Sequence, residues 1–334
     1  MAYQFTNDYS YLAHHRILKA LEKYSNEHNI AYGLDKHSFN ASNYIKDIFD
    51  VPHASIHYLV GGTQTNMVLI SSILKHYEGV IAADTGHINV HETAAIEGSG
   101  HKIITVKGKD GKVYPEDIKE VMELNNNEHM VKPAMVFISN STEIGTIYTR
   151  KELLDLREIC DKYGLYLYLD GARLGSALTS ASCDYEPSFL GHVLDAFYVG
   201  GTKNGLLFGE ALVVVNEQLQ KDFRYAIKNK GAMLAKGYAV GIEFEEAFKD
   251  GLYFDIAKAT NEVADYLKDK LGISNKEQPT NQIFIKLDNK KAQEVIDKFG
   301  TEMWNKGKNE SEIRIVISFM TTKKDVDELI AFLN

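Results

Sequence analysis

The chain has 334 residues, of which 44% are hydrophobic and 25% charged, with a formal net charge of −9 at pH 7. That length exceeds one ordinary core, so a large domain plus a smaller one is expected, and the acidic balance excludes a nucleic-acid binder, which needs a basic face. Two cysteines, Cys160 and Cys183, are too few for a disulfide framework or a four-cysteine zinc site.

Residues 1–50 read as mainly helical and polar. They are too short for a core of their own and are expected to pack on the large domain or a neighbouring subunit. The first eight residues have neither the basic start nor the apolar stretch of a signal peptide. No run approaches the roughly 18 apolar residues of a membrane span, so a cytoplasmic protein that does not engage a membrane is expected.

From residue 51 to about 250, short apolar runs alternate with amphipathic stretches. Strands are expected at 55–60, 80–83, 102–106, 134–139, 165–169, 196–199 and 211–215, and helices at 63–77, 115–124 and 151–163. This alternation predicts an α/β fold with a mostly parallel seven-stranded sheet covered by helices on both faces. Residues 237–271 carry a helical period interrupted near Gly251, which reads as a connecting helix pair. Within residues 251–334, strands at 283–287 and 313–319 alternate with helices at 290–299 and 322–333, the pattern of a small C-terminal α+β domain.

Two strand ends carry chemistry. The run ending at Val199 leads into Gly200-Gly201-Thr202-Lys203-Asn204-Gly205 and presents a lone amine. The run ending at Leu169 leads into Asp170-Gly171-Ala172-Arg173. Open α/β sheets bind ligands beyond the carboxyl ends of their strands. An amine and a carboxylate at two such ends suit pyridoxal phosphate, with Lys203 as the Schiff-base lysine and Asp170 paired with the pyridinium nitrogen. The plainer alternatives are a surface lysine and an aspartate that caps the helix beginning near Ala172.

The turn Gly61-Gly62-Thr63-Gln64-Thr65-Asn66 joins a strand to a helix and reads as a phosphate cradle or, alternatively, as a tight turn with Thr63 as N-cap. It fits neither the Walker nor the dinucleotide fingerprint. Thr202 offers a further phosphate donor. His87 and His91 are four apart, but the order is not that of a zinc-protease helix and no third ligand is evident, so no metal is expected. His87 is instead placed to stack on an aromatic cofactor or to serve as a structural histidine. Arg173 and Arg314 are candidates for a substrate carboxylate, which a guanidinium grips bidentately; a structural ion pair is the alternative for each.

In these residues the chain resembles the threonine aldolase and β-eliminating lyase family of pyridoxal-phosphate enzymes, of the aspartate aminotransferase-type fold (fold type I). The stretches that carry the likeness are 62–66, Gly86-His87, Thr142-Glu143-Ile144-Gly145, 170–173, 202–205 and 314–316. Within the family the likeness is to the branch of phenylserine aldolase-like and low-specificity threonine aldolases. The resemblance implies the Lys203 and Asp170 roles above, and His87 stacked on the ring and helping proton transfer. It further implies Gly62, Thr63 and Thr202 on the phosphate, and Arg173 and Arg314 on the substrate carboxylate. It also implies a homodimer or homotetramer with shared sites, Tyr32 reaching a neighbouring subunit. Three positions depart from the family pattern. Asn7 stands where many members have a carboxylate-contacting serine, Glu143 where many have a histidine near the substrate hydroxyl, and Lys236 is the nearest basic substitute for a phosphate-binding arginine of the neighbouring subunit.

The expected reaction is retro-aldol cleavage of a β-hydroxy-α-amino acid to glycine and an aldehyde. A β-eliminating amino-acid lyase is the runner-up, and a non-catalytic protein that binds a small acid is the reading from another class.

Overall fold

The computed structural model describes residues 3–334. Among them, ten strands form two sheets. Seven belong to the first: β1 (Ser55–Leu59), β2 (Glu78–Ala83), β3 (Ile103–Val106), β4 (Lys132–Ser139), β5 (Tyr166–Asp170), β6 (Ala196–Gly200) and β7 (Glu210–Val214). Their order across the sheet is β1-β7-β6-β5-β4-β2-β3. The pairs from β6 to β3 are parallel, while β7 runs antiparallel to both β1 and β6. The expected mostly parallel seven-stranded sheet is therefore present, with one reversed strand near an edge.

Local chemistry explains where the elements begin and end. The helix Arg150–Tyr163 starts from a capping box between Thr149 and Glu152 and stops at Gly164, whose φ of +66° suits a residue without Cβ. The chain then enters β5, whose last four residues are buried, as befits a strand covered on both faces. Two apolar layers sandwich the sheet. One contains Phe49, Ile138, Leu169 and Phe197, the other Val68, Phe137, Tyr168 and Tyr198.

The second sheet comprises β8 (Gln282–Asp288), β9 (Glu302–Lys306) and β10 (Glu310–Val316), antiparallel in the order β8-β10-β9. β9 was not expected, because its sequence Glu-Met-Trp-Asn-Lys is polar at both ends and lacks clean alternation. The helix Leu252–Leu271 joins the two halves: Tyr253 and Ile256 belong to the core of the large sheet, Ala264 and Leu267 to that of the small one.

The N-terminal segment differs from its polar reading at one point. Phe5 is fully buried in the small domain's core and exchanges backbone hydrogen bonds with Phe299 and Val316. Ile17, Ala41, Ile45 and Phe49 pack on the large domain. The segment thus crosses from one unit to the other, carrying residues 6–12 past the strand ends.

Candidate active site

Two adjoining cavities open beyond the carboxyl ends of β1, β5 and β6. The first, of about 300 Å³, is lined by Gly61, Gly62, Thr63, Tyr198, Thr202 and Glu210, among others. The second, of about 270 Å³, is lined by His91, Glu143, Arg173, Glu302 and Arg314. Tyr9, His87 and Lys203 border both.

The first cavity begins where β1 turns into the helix Gly62–Ile73. Gly61, in extended backbone, is the N-cap, and no side chain caps the helix, which corrects the reading of Thr63 as N-cap. The first N–H groups of this helix are thus left for a ligand, in the positive end of a 12-residue helix. A Cβ on Gly62 would lie 2.8 Å from Tyr198 Oη, so the wall here must be bare backbone.

Asp170 is held by neutral donors. Its Oδ1 accepts from Tyr198 Oη at 2.5 Å and from Ala172 N at 3.0 Å, and its Oδ2 accepts from Asn66 Nδ2 at 3.1 Å. The bond from Ala172 is turn-like, but the following helix, Leu174–Leu178, has Arg173 as its N-cap, so Asp170 does not cap it. Asn66 also donates to Glu92 Oε1 at 2.7 Å and accepts from Tyr168 Oη at 2.7 Å. Glu92 Oε1 in turn accepts from His87 Nδ1 at 2.8 Å, while Glu92 Oε2 is buried with no partner. A continuous network therefore runs His87–Glu92–Asn66–Asp170–Tyr198 beneath the cavity. Burial opposes a charge on His87, but the bond to Glu92 and the fields of Glu143 and Asp170 outweigh it, so its pKa is raised.

Lys203 is half-buried. Desolvation, then Arg173, lower its pKa against the opposing pull of Asp8, Glu143 and Asp170. A lowered pKa makes the amine nucleophilic nearer neutrality. Its Nζ lies 5.8 Å from the ring centre of Tyr9. An amine, an anchored carboxylate, a ring-bearing histidine and a free helix N-terminus around one cavity match a phosphorylated aromatic aldehyde, so the donor set fits pyridoxal phosphate.

The second cavity holds the two arginines, each already engaged. Arg173 donates from Nε to Asp8 Oδ2 at 2.7 Å and from Nη2 to Asp8 Oδ1 at 3.0 Å. Burial alone would raise the Asp8 pKa, but Arg173 and then Lys203 reverse this and hold it below the usual carboxylate range. Arg314 donates to Glu302 and, at 3.2 Å, to Gln282 Oε1; its Nε is buried without a partner. Trp304 lies against the guanidinium, 5.0 Å from Cζ to ring centre.

The structure thus brings together Gly62, Thr63, His87, Thr202 and Lys203 at one cavity and His87, Glu143, Arg173, Lys203 and Arg314 at the other, with Asp170 in the floor. It does not bring Asn7, Tyr32 or Lys236 to either lining. Asn7 turns back on its own loop and accepts from Tyr9 N at 3.0 Å. Its neighbours Asp8 and Tyr9 take the places by the site. Tyr32, at φ +64°, donates its backbone N–H to Ala235 O at 3.0 Å, which places it beside the Lys236 loop and outside both linings.

Residues missed from sequence are Asp8, Tyr9, Asn66, Glu92, Tyr198 and Glu210. Asn66 and Glu92 follow the glycine turn and His87 closely enough to have been suspected. Asp8 and Glu210 gave no such signal.

The family profile described as "Beta-eliminating lyase" matches residues 15–294. A low-specificity L-threonine aldolase of a Pseudomonas strain is 31% identical over 74% of this chain and 72% of its own length; that of Pseudomonas aeruginosa is 28% identical over 73% and 71%. The solved structure of Leishmania major threonine aldolase is similar with a TM-score of 0.96 and 39% identity over 99% of this chain and 98% of that one. A putative L-allo-threonine aldolase of Listeria monocytogenes shares the fold, with a TM-score of 0.71 at 16% identity over 96% of this chain and 94% of that one. With a family match over most of its length and the site built as described, the chain belongs to the β-eliminating lyase family of pyridoxal-phosphate enzymes.

Proposed function

We propose that the protein cleaves a β-hydroxy-α-amino acid of the threonine type to glycine and an aldehyde with pyridoxal phosphate as cofactor. The observation that carries this reading is the half-buried Lys203 between two cavities, one with cofactor-type donors and one with carboxylate-type donors. When bound, pyridoxal phosphate supplies the electron sink for the carbanion left when Cα–Cβ breaks. Asp170, braced by Tyr198 and Asn66, holds a proton on the pyridine nitrogen. Lys203 would hold the cofactor covalently through its Nζ. The helix start at Gly62, together with Thr63 and Thr202, binds the phosphate. Arg173 and Arg314 orient the substrate carboxylate. The proton on the β-hydroxyl passes to a base at the second cavity: Glu143, His87 or a held water.

The lining of that second cavity is almost wholly polar. This favours the small side chain of threonine or allo-threonine over the phenyl ring of phenylserine. The assembly we infer is a homodimer or homotetramer with shared sites, acting in the cytoplasm. Ile30, Leu34, Phe39 and Tyr225 are all more than half exposed and flank Tyr32 in the chain or its contact Arg224, as a subunit contact requires. Asn7 and Lys236 then serve a site only through such a contact or through loop movement. In domain terms, we take 1–50 as the strap, 51–250 as the cofactor-binding domain and 251–334 as the small domain.

The test is a spectrum of the purified protein with pyridoxal phosphate, borohydride trapping on Lys203, and product analysis with L-allo-threonine and phenylserine. Glycine plus aldehyde is expected. Pyruvate and ammonia from serine-type substrates instead would make it a β-eliminating lyase, and a colourless protein with no trapped adduct would remove the cofactor altogether.

A further inference from the structure

Glu210 is the one carboxylate among the described residues that line the first cavity, and the functional reading above gives it no task. It is the first residue of the reversed strand β7, paired in register with Gly200 at the end of β6 and with Leu59 at the end of β1. That register sets it between the glycine turn that starts the helix Gly62–Ile73 and the turn that carries Lys203. The residue is 4% exposed. One oxygen accepts from Gly201 N at 2.8 Å and the other from Thr202 Oγ1 at 2.9 Å.

The consequence for Thr202 is specific. A hydroxyl has one proton and two lone pairs. Here the proton goes to Glu210, while Thr202 Oγ1 accepts from Gly209 N at 3.1 Å. With Glu210 ionised, Thr202 has no proton to offer a phosphate, and a fixed negative charge stands in the wall of a site for an anion. With Glu210 protonated, the carboxyl donates to the second lone pair of Thr202, and the hydroxyl proton is free to turn to the ligand. We propose that Glu210 is a proton-linked latch on the cofactor's phosphate, which closes when the carboxyl takes a proton from solvent and releases the Thr202 hydroxyl to the phosphate.

The surroundings agree with this. Burial pushes the Glu210 carboxyl up to about 8, against the lowering bonds from Thr202 and Gly201 and the field of Lys203. Asp170 raises it further, and the phenols of Tyr168, Tyr198 and Tyr253 are the other titratable groups that feel its charge. A phosphate dianion arriving nearby favours the protonated form still more.

The inference rests on the cofactor reading above, and the experiment separates the two. The full-length apoprotein is titrated with pyridoxamine 5′-phosphate, which carries the phosphate but forms no bond to Lys203, from about pH 7 to about pH 9.5. Wild-type affinity is expected to fall roughly 30-fold more than that of Glu210→Gln, whose amide donates to Thr202 at every pH. Pyridoxamine without the phosphate should show no such difference, and Thr202→Val should lose it. Should Glu210→Gln not fold, calorimetry of the wild type in two buffers of different ionisation enthalpy takes its place; near pH 9 it should show uptake of close to one proton. Matching pH profiles in wild type and Glu210→Gln, or no proton uptake, would overturn the latch while borohydride trapping at Lys203 still upheld the cofactor. No trapping and no binding at any pH would overturn both.

Discussion

The floor of the site and its mouth hold charge in opposite ways. In the floor, Asp170 is anchored by three neutral donors, Tyr198, Asn66 and the Ala172 amide, so its negative charge remains available to a ligand. In the mouth, each arginine is matched by a carboxylate of the chain itself, Arg173 by Asp8 and Arg314 by Glu302. The floor draws on the adjacent strands β5 and β6 and the first helix after β1, all fixed by one sheet. The mouth joins a residue of the N-terminal strap, a turn of the large domain and two strands of the small sheet. The first arrangement suits a ligand that stays, the second a ligand that exchanges.

Substitutions can break or sharpen this contrast. The largest effect is expected from Asp170→Ala, which leaves the cofactor's ring nitrogen without its buried partner. A loss of about 3–5 kcal/mol, roughly two to four decades in cofactor affinity, should appear in a spectrophotometric titration. The overall fold, read by circular dichroism, should survive. Glu143→Gln acts on the mouth alone. It should lower kcat by roughly 100-fold, the low end for a general base, and alter the pH–rate profile with cofactor affinity unchanged. An unchanged profile would take Glu143 out of the proton transfer.

Asp8→Asn keeps one acceptor for Arg173, sets an amide donor against its other N–H and removes the charge. Stability should fall by about 1.5–3 kcal/mol, measured by urea unfolding near neutrality. The sign of its pH dependence follows from the depressed folded-state pKa of Asp8. The wild type's advantage should be fully present above the unfolded value of 3.8 and close as pH falls through the folded one. A gap that widens in acid would contradict the pairing. The smallest effect belongs to Glu302→Gln. Glu302 is 42% exposed at its side chain, so its pair with Arg314 is worth about 0.2–1 kcal/mol. Substrate KM should drop less than about fivefold with kcat unchanged, if the substrate carboxylate displaces Glu302.

Much of the floor was legible in the chain. Asp170 and Lys203 each close an apolar run, and such runs are strands whose ends face the ligand, so their positions follow from local pattern alone. The glycine turn at 61–62 was legible for the same reason. His87 lies only five residues from Glu92, within reach of local reasoning. The mouth was not legible, because Asp8 meets Arg173 across 165 residues of chain and no periodicity records such a meeting. Asn7 was favoured over Asp8 by likeness of position, and the loop geometry gives the place to its neighbour. β9 escaped because its pairing with β10, not its own composition, makes it a strand.

The order of strands and helices, the division into a large and a small unit, and the cofactor-type residues at strand ends are properties of the sequence, since each depends on periodicity and punctuation within a few residues. The tertiary structure decided the reversal of β7, the strap's passage from the small core to the large one, and the partner of every charged group at the mouth. These depend on which distant segments share a buried space, where a charge is tolerated only beside a complement that folding alone supplies.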